Sequence, residues 1–135
     1  MYRILLPVDD TIERAKKQAR FVTSMPVSTD SLVVVVAHAF TGGERDVPDA
    51  MKRVDRVETV RWVTDRLEDA GVAVEHRELS TPPASGILEY VEESAVDQIV
   101  MGGRKRSPVE KAILGSVTES VVLKTDVPVT VTGSV

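Results

Sequence analysis

The 135-residue sequence contains no cysteine, which excludes disulfides, thiolate metal sites and cysteine nucleophiles. It also lacks a long hydrophobic run, because the longest, residues 32–37, is far shorter than the roughly 20 residues of a membrane-spanning helix. Positive charge is not in excess: the net charge of −4 argues against a general nucleic-acid-binding protein. Met1 leads directly into a strand-like segment instead of a basic segment and an apolar helix, so we expect a cytoplasmic protein.

Several motifs of dedicated enzymes are missing as well. The sequence has neither the Gly-x-Ser-x-Gly turn of hydrolases nor the Gly-Lys-Ser/Thr of a Walker loop. Ser107 and Ser116 have no evident histidine partner, and the two histidines, His38 and His76, have no clustered acids that would complete a metal site. We interpret His38 as a core histidine of an apolar strand and place His76 on an edge strand. We therefore do not expect a dedicated enzyme.

Strand-like and helix-like segments alternate along the whole chain. Strands are predicted at residues 2–8, 31–39, 72–79, 96–101 and 127–132, and helices at about 11–25, 48–70, 84–91 and 116–124. Four consecutive valines without polar alternation are typical of a central parallel strand, whereas the alternating third strand is typical of an edge. At the first helix, Asp10 or Thr11 is the predicted cap, with Glu13 as a capping-box partner. The alternation predicts one α/β domain over residues 1–135, an open parallel sheet with helices on both faces.

Candidate ligand-binding residues follow the first and fourth strands. In open α/β sheets, ligands bind outside the carboxyl ends of the strands, at the point where the strand order reverses. If the first and fourth strands are neighbours, the segments that face this crevice are Pro7-Val8-Asp9-Asp10 and Met101-Gly102-Gly103. The glycines would let backbone N–H groups approach a ligand closely.

Gly115-Ser116-Val117 and the basic triplet Arg104-Lys105-Arg106 add the features of a phosphate site. A helix that begins near Ser116 would contribute free N–H groups and the positive end of its dipole. Each feature also has a structural alternative: Asp9 can cap the first helix, Ser116 can cap the last helix, and the basic triplet can be an ordinary solvated loop.

These segments resemble the universal stress protein family over essentially the full length of the chain. The resemblance is carried by Pro-Val-Asp after the first strand, by Ala-His-Ala at 37–39 and by the strand 96–102. Its strongest part is the nucleotide signature of the family, which reads Gly, two residues, Gly, nine residues, Gly-Ser. Gly102 and Gly115-Ser116 match this signature at the right spacing, and Lys105 stands where the family has its second glycine.

The resemblance implies an adenine-nucleotide alpha-hydrolase-like fold with strand order 3-2-1-4-5, and a homodimer that pairs the fifth strands between Val127 and Thr132. It also implies that Asp9 contacts the adenine or ribose, with backbone groups near Val8 and Ala39 around the base. The ribose and phosphates would be held by Gly102, Gly115, Ser116 and Val117.

The implied ligand is ATP or a related adenine nucleotide, with Mg²⁺ or Mn²⁺ carried by the phosphates and at most slow hydrolysis. Such a protein would act in a stress response through protein partners. Lys105 adds a side chain where phosphate would lie, but its ammonium group is itself able to bind phosphate. The alternative that Lys105 favours is a protein-interaction module on the same fold that needs no nucleotide. A phospho-receiver domain is rejected, because the third strand does not end in Asp and the fifth does not end in Lys.

Overall fold

Five strands form one parallel sheet in the computed structural model, which describes residues 1–41, 53–103 and 114–133. Across the sheet the order is β3-β2-β1-β4-β5, and every pairing is parallel. This confirms the predicted order and places its reversal between β1 and β4. The strands are β1 (Tyr2–Pro7), β2 (Leu32–His38), β3 (Ala73–Glu78), β4 (Gln98–Met101) and β5 (Val129–Val131).

Two pairs of helices cover the two faces of the sheet, as predicted. One hydrophobic cluster joins α1 and α2 to one face, and a second cluster joins α3 and α4 to the other. None of the helices in the described ranges is long and apolar enough to cross a membrane. The helices are α1 (Ile12–Thr23), α2 (Glu58–Asp69), α3 (Pro83–Glu93) and α4 (Ser116–Lys124), with short 3-10 turns at Thr29–Ser31 and Val54–Arg56.

The valine run forms the buried strand β2. All seven residues of β2 are buried, and successive side chains enter opposite clusters: Val34 and Val36 pack with α1 and α2, whereas Val35 packs with α3 and α4. A strand covered on both faces needs no polar alternation. The run therefore sits beside β1 in the interior of the sheet.

The outer strand β3 is exposed and charged, as predicted for an edge. Glu75, Arg77 and Glu78 are all exposed. Glu75 accepts a hydrogen bond from Arg3 Nη1 at 3.1 Å, and this bond raises the pKa of Arg3. His76 also lies on β3, as predicted, and its Nε2 is 2.9 Å from the hydroxyl oxygen of a threonine in α2.

The prediction of one long helix over residues 48–70 is wrong in its first part. Residues 42–52 lie outside the described ranges, but Arg53 and Val57 are extended, and only a 3-10 turn lies between them. The α-helix begins at Glu58. Val54 lies in this non-helical connection and is nevertheless buried in the core. The helix-like spacing of valines in the sequence therefore extends upstream of the residue at which the helix begins.

Candidate functional site

A cleft of about 260 Å³ opens at the carboxyl ends of β1 and β4, where the strand order reverses. This volume is near the lower end of small-molecule sites, which are roughly 300–1,000 Å³. Nine of the ten predicted site residues line it, and the tenth, Lys105, lies outside the described residues. The nine are Pro7, Val8, Asp9, Ala39, Met101, Gly102, Gly115, Ser116 and Val117.

Asp9 organises the loop between β1 and α1. Its Oδ1 accepts a hydrogen bond from the backbone N–H of Thr11 at 2.9 Å, and its Oδ2 is 2.5 Å from Nη1 of Arg14. The backbone carbonyl of Asp9 accepts a hydrogen bond from the hydroxyl of Thr59, in the first turn of α2. Asp9 is thus fixed from three directions, while 46% of its side chain remains exposed at the cleft.

The predicted capping box at α1 does not form. Thr11 is the N-cap residue, but no side chain makes a capping hydrogen bond there, so Asp10 and Glu13 do not act as reciprocal caps. The backbone N–H of Thr11 instead donates a hydrogen bond to the carboxylate of Asp9, which lies one residue upstream of Asp10. Asp10 instead lines the cleft.

The side chain of Gln18 bridges the two strand ends at the base of the cleft. β1 and β4 are in register only at Ile4 with Gln98 and at Leu5 with Ile99. Beyond that point Pro7 has no N–H to donate to a neighbouring strand. The amide Nε2 of Gln18, which is 2% exposed, donates to Pro7 O at 2.7 Å and to Val100 O at 3.1 Å. This amide replaces the missing strand pairing and holds the two ends at a fixed separation.

His38 is a buried core histidine, as predicted, and it also lines the cleft. Its Nδ1 lies 2.6 Å from the carbonyl oxygen of Val8, and its ring meets Phe40 edge-on with centroids 5.0 Å apart. Because a carbonyl oxygen only accepts, Nδ1 donates the proton in this contact. His38 therefore links the end of β2 to the loop that carries Asp9.

The two glycines after β4 have different roles, and the expectation that both face the crevice is wrong for one of them. Gly102 lines the cleft, whereas Gly103 does not. A Cβ on Gly103 would lie 2.3 Å from the backbone oxygen of Thr132, just beyond β5. Because Gly103 has no side chain, the segments that follow β4 and β5 can lie close to each other.

The first turn of α4 forms one side of the cleft. Gly115 is the N-cap residue, in an extended conformation with φ −63° and ψ 159°, and Ser116 is the first helical residue. Gly115 has no side chain that could cap the helix, and Ser116 lies one residue inside it, so the interpretation of Ser116 as a cap is wrong. The N–H groups in the first turn of a helix have no partner within the helix. Ser116, Val117 and Thr118 all line the cleft, so this turn is available to an anion.

Arg14 and Gln18 on α1 are site residues that sequence reasoning missed. Gln18 carried a signal, because it is a polar residue on the apolar face that contains Ala15, Ala19 and Val22. The other unpredicted lining residues include an apolar wall from the end of β3 and from α3, formed by Leu79, Pro83 and Ile87.

This arrangement defines an open, doubly wound α/β protein with a cleft at the switch point of its sheet, the position at which proteins of this architecture bind their ligands. The family model described as the universal stress protein family matches residues 1–133. The chain belongs to the universal stress protein family, which confirms the resemblance seen in the sequence.

Individual relatives agree with this assignment over nearly the whole chain. A universal stress protein of Methanocaldococcus jannaschii is 27% identical over 136 aligned residues, covering 96% of this chain and 80% of that protein. The structure of a universal stress protein from Archaeoglobus fulgidus is similar with a TM-score of 0.78 and 30% identity, over 98% of this chain and 99% of that one. A structure of a universal stress protein from Archaeoglobus fulgidus in complex with dAMP has a TM-score of 0.73 and 25% identity, over 98% of each chain.

Proposed function

We propose that this protein binds ATP or a related adenine nucleotide in the cleft between β1 and β4, and acts in a cytoplasmic stress response through protein partners. The observation that carries the proposal is the meeting of the Asp9 loop, Gly102 and the first turn of α4 at one cleft. The complex of an Archaeoglobus fulgidus relative with dAMP supports an adenine nucleotide as the ligand class.

The cleft offers a different chemistry to each part of a nucleotide. Its apolar lining, which includes Ala39 and Leu79, suits a planar base, and the half-exposed carboxylate of Asp9 can accept a hydrogen bond from a ribose hydroxyl or a base amine. The free N–H groups at the start of α4 suit phosphate. In this proposal Mg²⁺ or Mn²⁺ arrives on the phosphates of ATP, and any hydrolysis is slow.

The experiment is a thermal-shift measurement with ATP and magnesium. A ligand that binds only the folded state raises the midpoint, by an amount equivalent to about 2.7 kcal/mol when its concentration is 100 times its Kd. Ser116→Tyr places a ring at the cleft from an exposed helix start and should abolish the shift, whereas Ser116→Ala should retain most of it. No midpoint rise at millimolar ATP would contradict the proposal. It would favour the nucleotide-independent interaction module, which the replacement of a signature glycine by Lys105 already favours.

We also propose that the protein is a homodimer that pairs residues 127–132 of its two copies. β5 is an edge of the sheet, and Val129, Thr130 and Val131 are only half-buried. The preceding helix α4 exposes 75% of Leu123. An apolar edge strand with unpaired backbone groups invites the addition of another strand.

A further inference from the structure

Arg14, in the first turn of α1, lines the cleft and contacts both segments that meet there. Its aliphatic stem lies on Gly102, where an added Cβ would be 3.2 Å from both Cγ and Cδ of Arg14. Its guanidinium reaches Oδ2 of Asp9. The side chain therefore spans the two segments that meet at the switch point, and Gly102 provides the space for it.

The charges around the cleft make Arg14 important for an anionic ligand. Asp9 and Asp10 line the cleft with negative charge, and Arg14 is the sole cationic side chain among its described lining residues. A phosphate that enters beside two carboxylates is repelled unless a cation offsets them. The Arg14 side chain is 29% exposed, so it remains accessible to solvent and to a ligand.

The guanidinium has donors to spare for a ligand. It carries five N–H groups in a planar fork that matches phosphate oxygens. Among the described residues, Asp9 is the one partner of this group, through Nη1. Asp9 can thus hold the fork in place while its other N–H groups bind phosphate.

We infer that Arg14 makes the cleft selective for phosphate-bearing adenine ligands over the uncharged nucleoside. The inference rests on the proposed nucleotide site and adds to it the residue that recognises phosphate. Asp9 fixes the guanidinium, Gly102 accommodates its stem, and the α4 turn supplies neutral N–H donors to the same phosphate.

The test is calorimetry with AMP, adenosine and tripolyphosphate on the wild type and two variants. Arg14→Gln removes the cation, and Arg20→Gln makes the same charge change at an exposed position of the same helix, outside the cleft lining. Loss of a charge-assisted contact predicts that Arg14→Gln weakens AMP binding about tenfold and changes adenosine binding less than about twofold. Arg20→Gln should leave both affinities unchanged.

The outcomes separate this inference from the proposed function. Suppose that the wild type binds AMP. If Arg14→Gln then weakens the binding of AMP and adenosine equally, or weakens the binding of neither, the role of Arg14 is refuted while the nucleotide site stands. If the wild type binds tripolyphosphate but not AMP, and Arg14→Gln abolishes that binding, phosphate recognition by Arg14 is supported and the proposed function is contradicted. If no probe binds the wild type, both are wrong.

Discussion

Replacing Gln18 with methionine tests whether one buried amide holds the two halves of the sheet together at the switch point. Methionine has a similar length and no branch, so it fills the same space without donating hydrogen bonds. The variant leaves the carbonyl oxygens of Pro7 and Val100 without the donor they share in the wild type.

The expected loss follows from two hydrogen bonds made by a side chain that is 2% exposed. Each such bond contributes about 1 kcal/mol net, so Gln18→Met should lower the free energy of unfolding by about 2 kcal/mol. With a urea slope of about 2 kcal/mol per molar, the midpoint of unfolding should fall by about 1 M.

Urea unfolding followed by circular dichroism measures this shift. Arg20→Met is the matched control, because it introduces the same side chain at an exposed position of α1 and should change the stability by less than about 0.5 kcal/mol. A Gln18→Met midpoint within about 0.2 M of the wild type would refute the bridging role, since it would correspond to less than about 0.5 kcal/mol.

Three further predictions concern Lys105, Gly103 and the assembly. Lys105→Ala should weaken nucleotide binding by roughly 0.5–2 kcal/mol if its ammonium contacts phosphate, and unchanged affinity in calorimetry would remove Lys105 from the site. Gly103→Ala forces a Cβ to within 2.3 Å of Thr132 O and should destabilise the fold by about 1–3 kcal/mol. Gly133→Ala is the control, because the nearest described atom to its added Cβ is Lys17 Nζ at 3.9 Å. It should cost less than about 0.5 kcal/mol, and equal losses would contradict the packing argument. Light scattering at micromolar concentration should give twice the mass of one chain, and a monomer mass would contradict pairing through residues 127–132.

The types of the secondary-structure elements were predictable because the burial of an element determines the pattern of apolar and polar residues in its sequence. The valine run of β2 and the alternation of β3 distinguish a strand covered on both faces from one at an edge. The strand order came from the family resemblance. The start of α2 was not predictable, because Val54 reaches the core from a non-helical connection and so extends the apolar period beyond the helix.

The site was predictable only where the backbone defines it. The rule for the carboxyl ends of parallel strands indicated the Asp9 loop and Gly102, and both line the cleft. The contribution of Arg14 was not predictable, because helical periodicity does not show that a long side chain will lie over a glycine of a distant strand. The local preference of serine for capping was misleading at Ser116, since the backbone placed Gly115 at that position.

The charged outer strand limits how large an assembly of this chain can become. Glu75, Arg77 and Glu78 line the exposed edge that β3 presents. Charged side chains on an edge disfavour the docking of a further strand, so we expect the proposed pairing of copies only on the β5 side. Two copies joined there would form a continuous sheet whose two outer ends are both β3. Growth would then stop at a closed pair with two-fold symmetry, instead of continuing into a fibre.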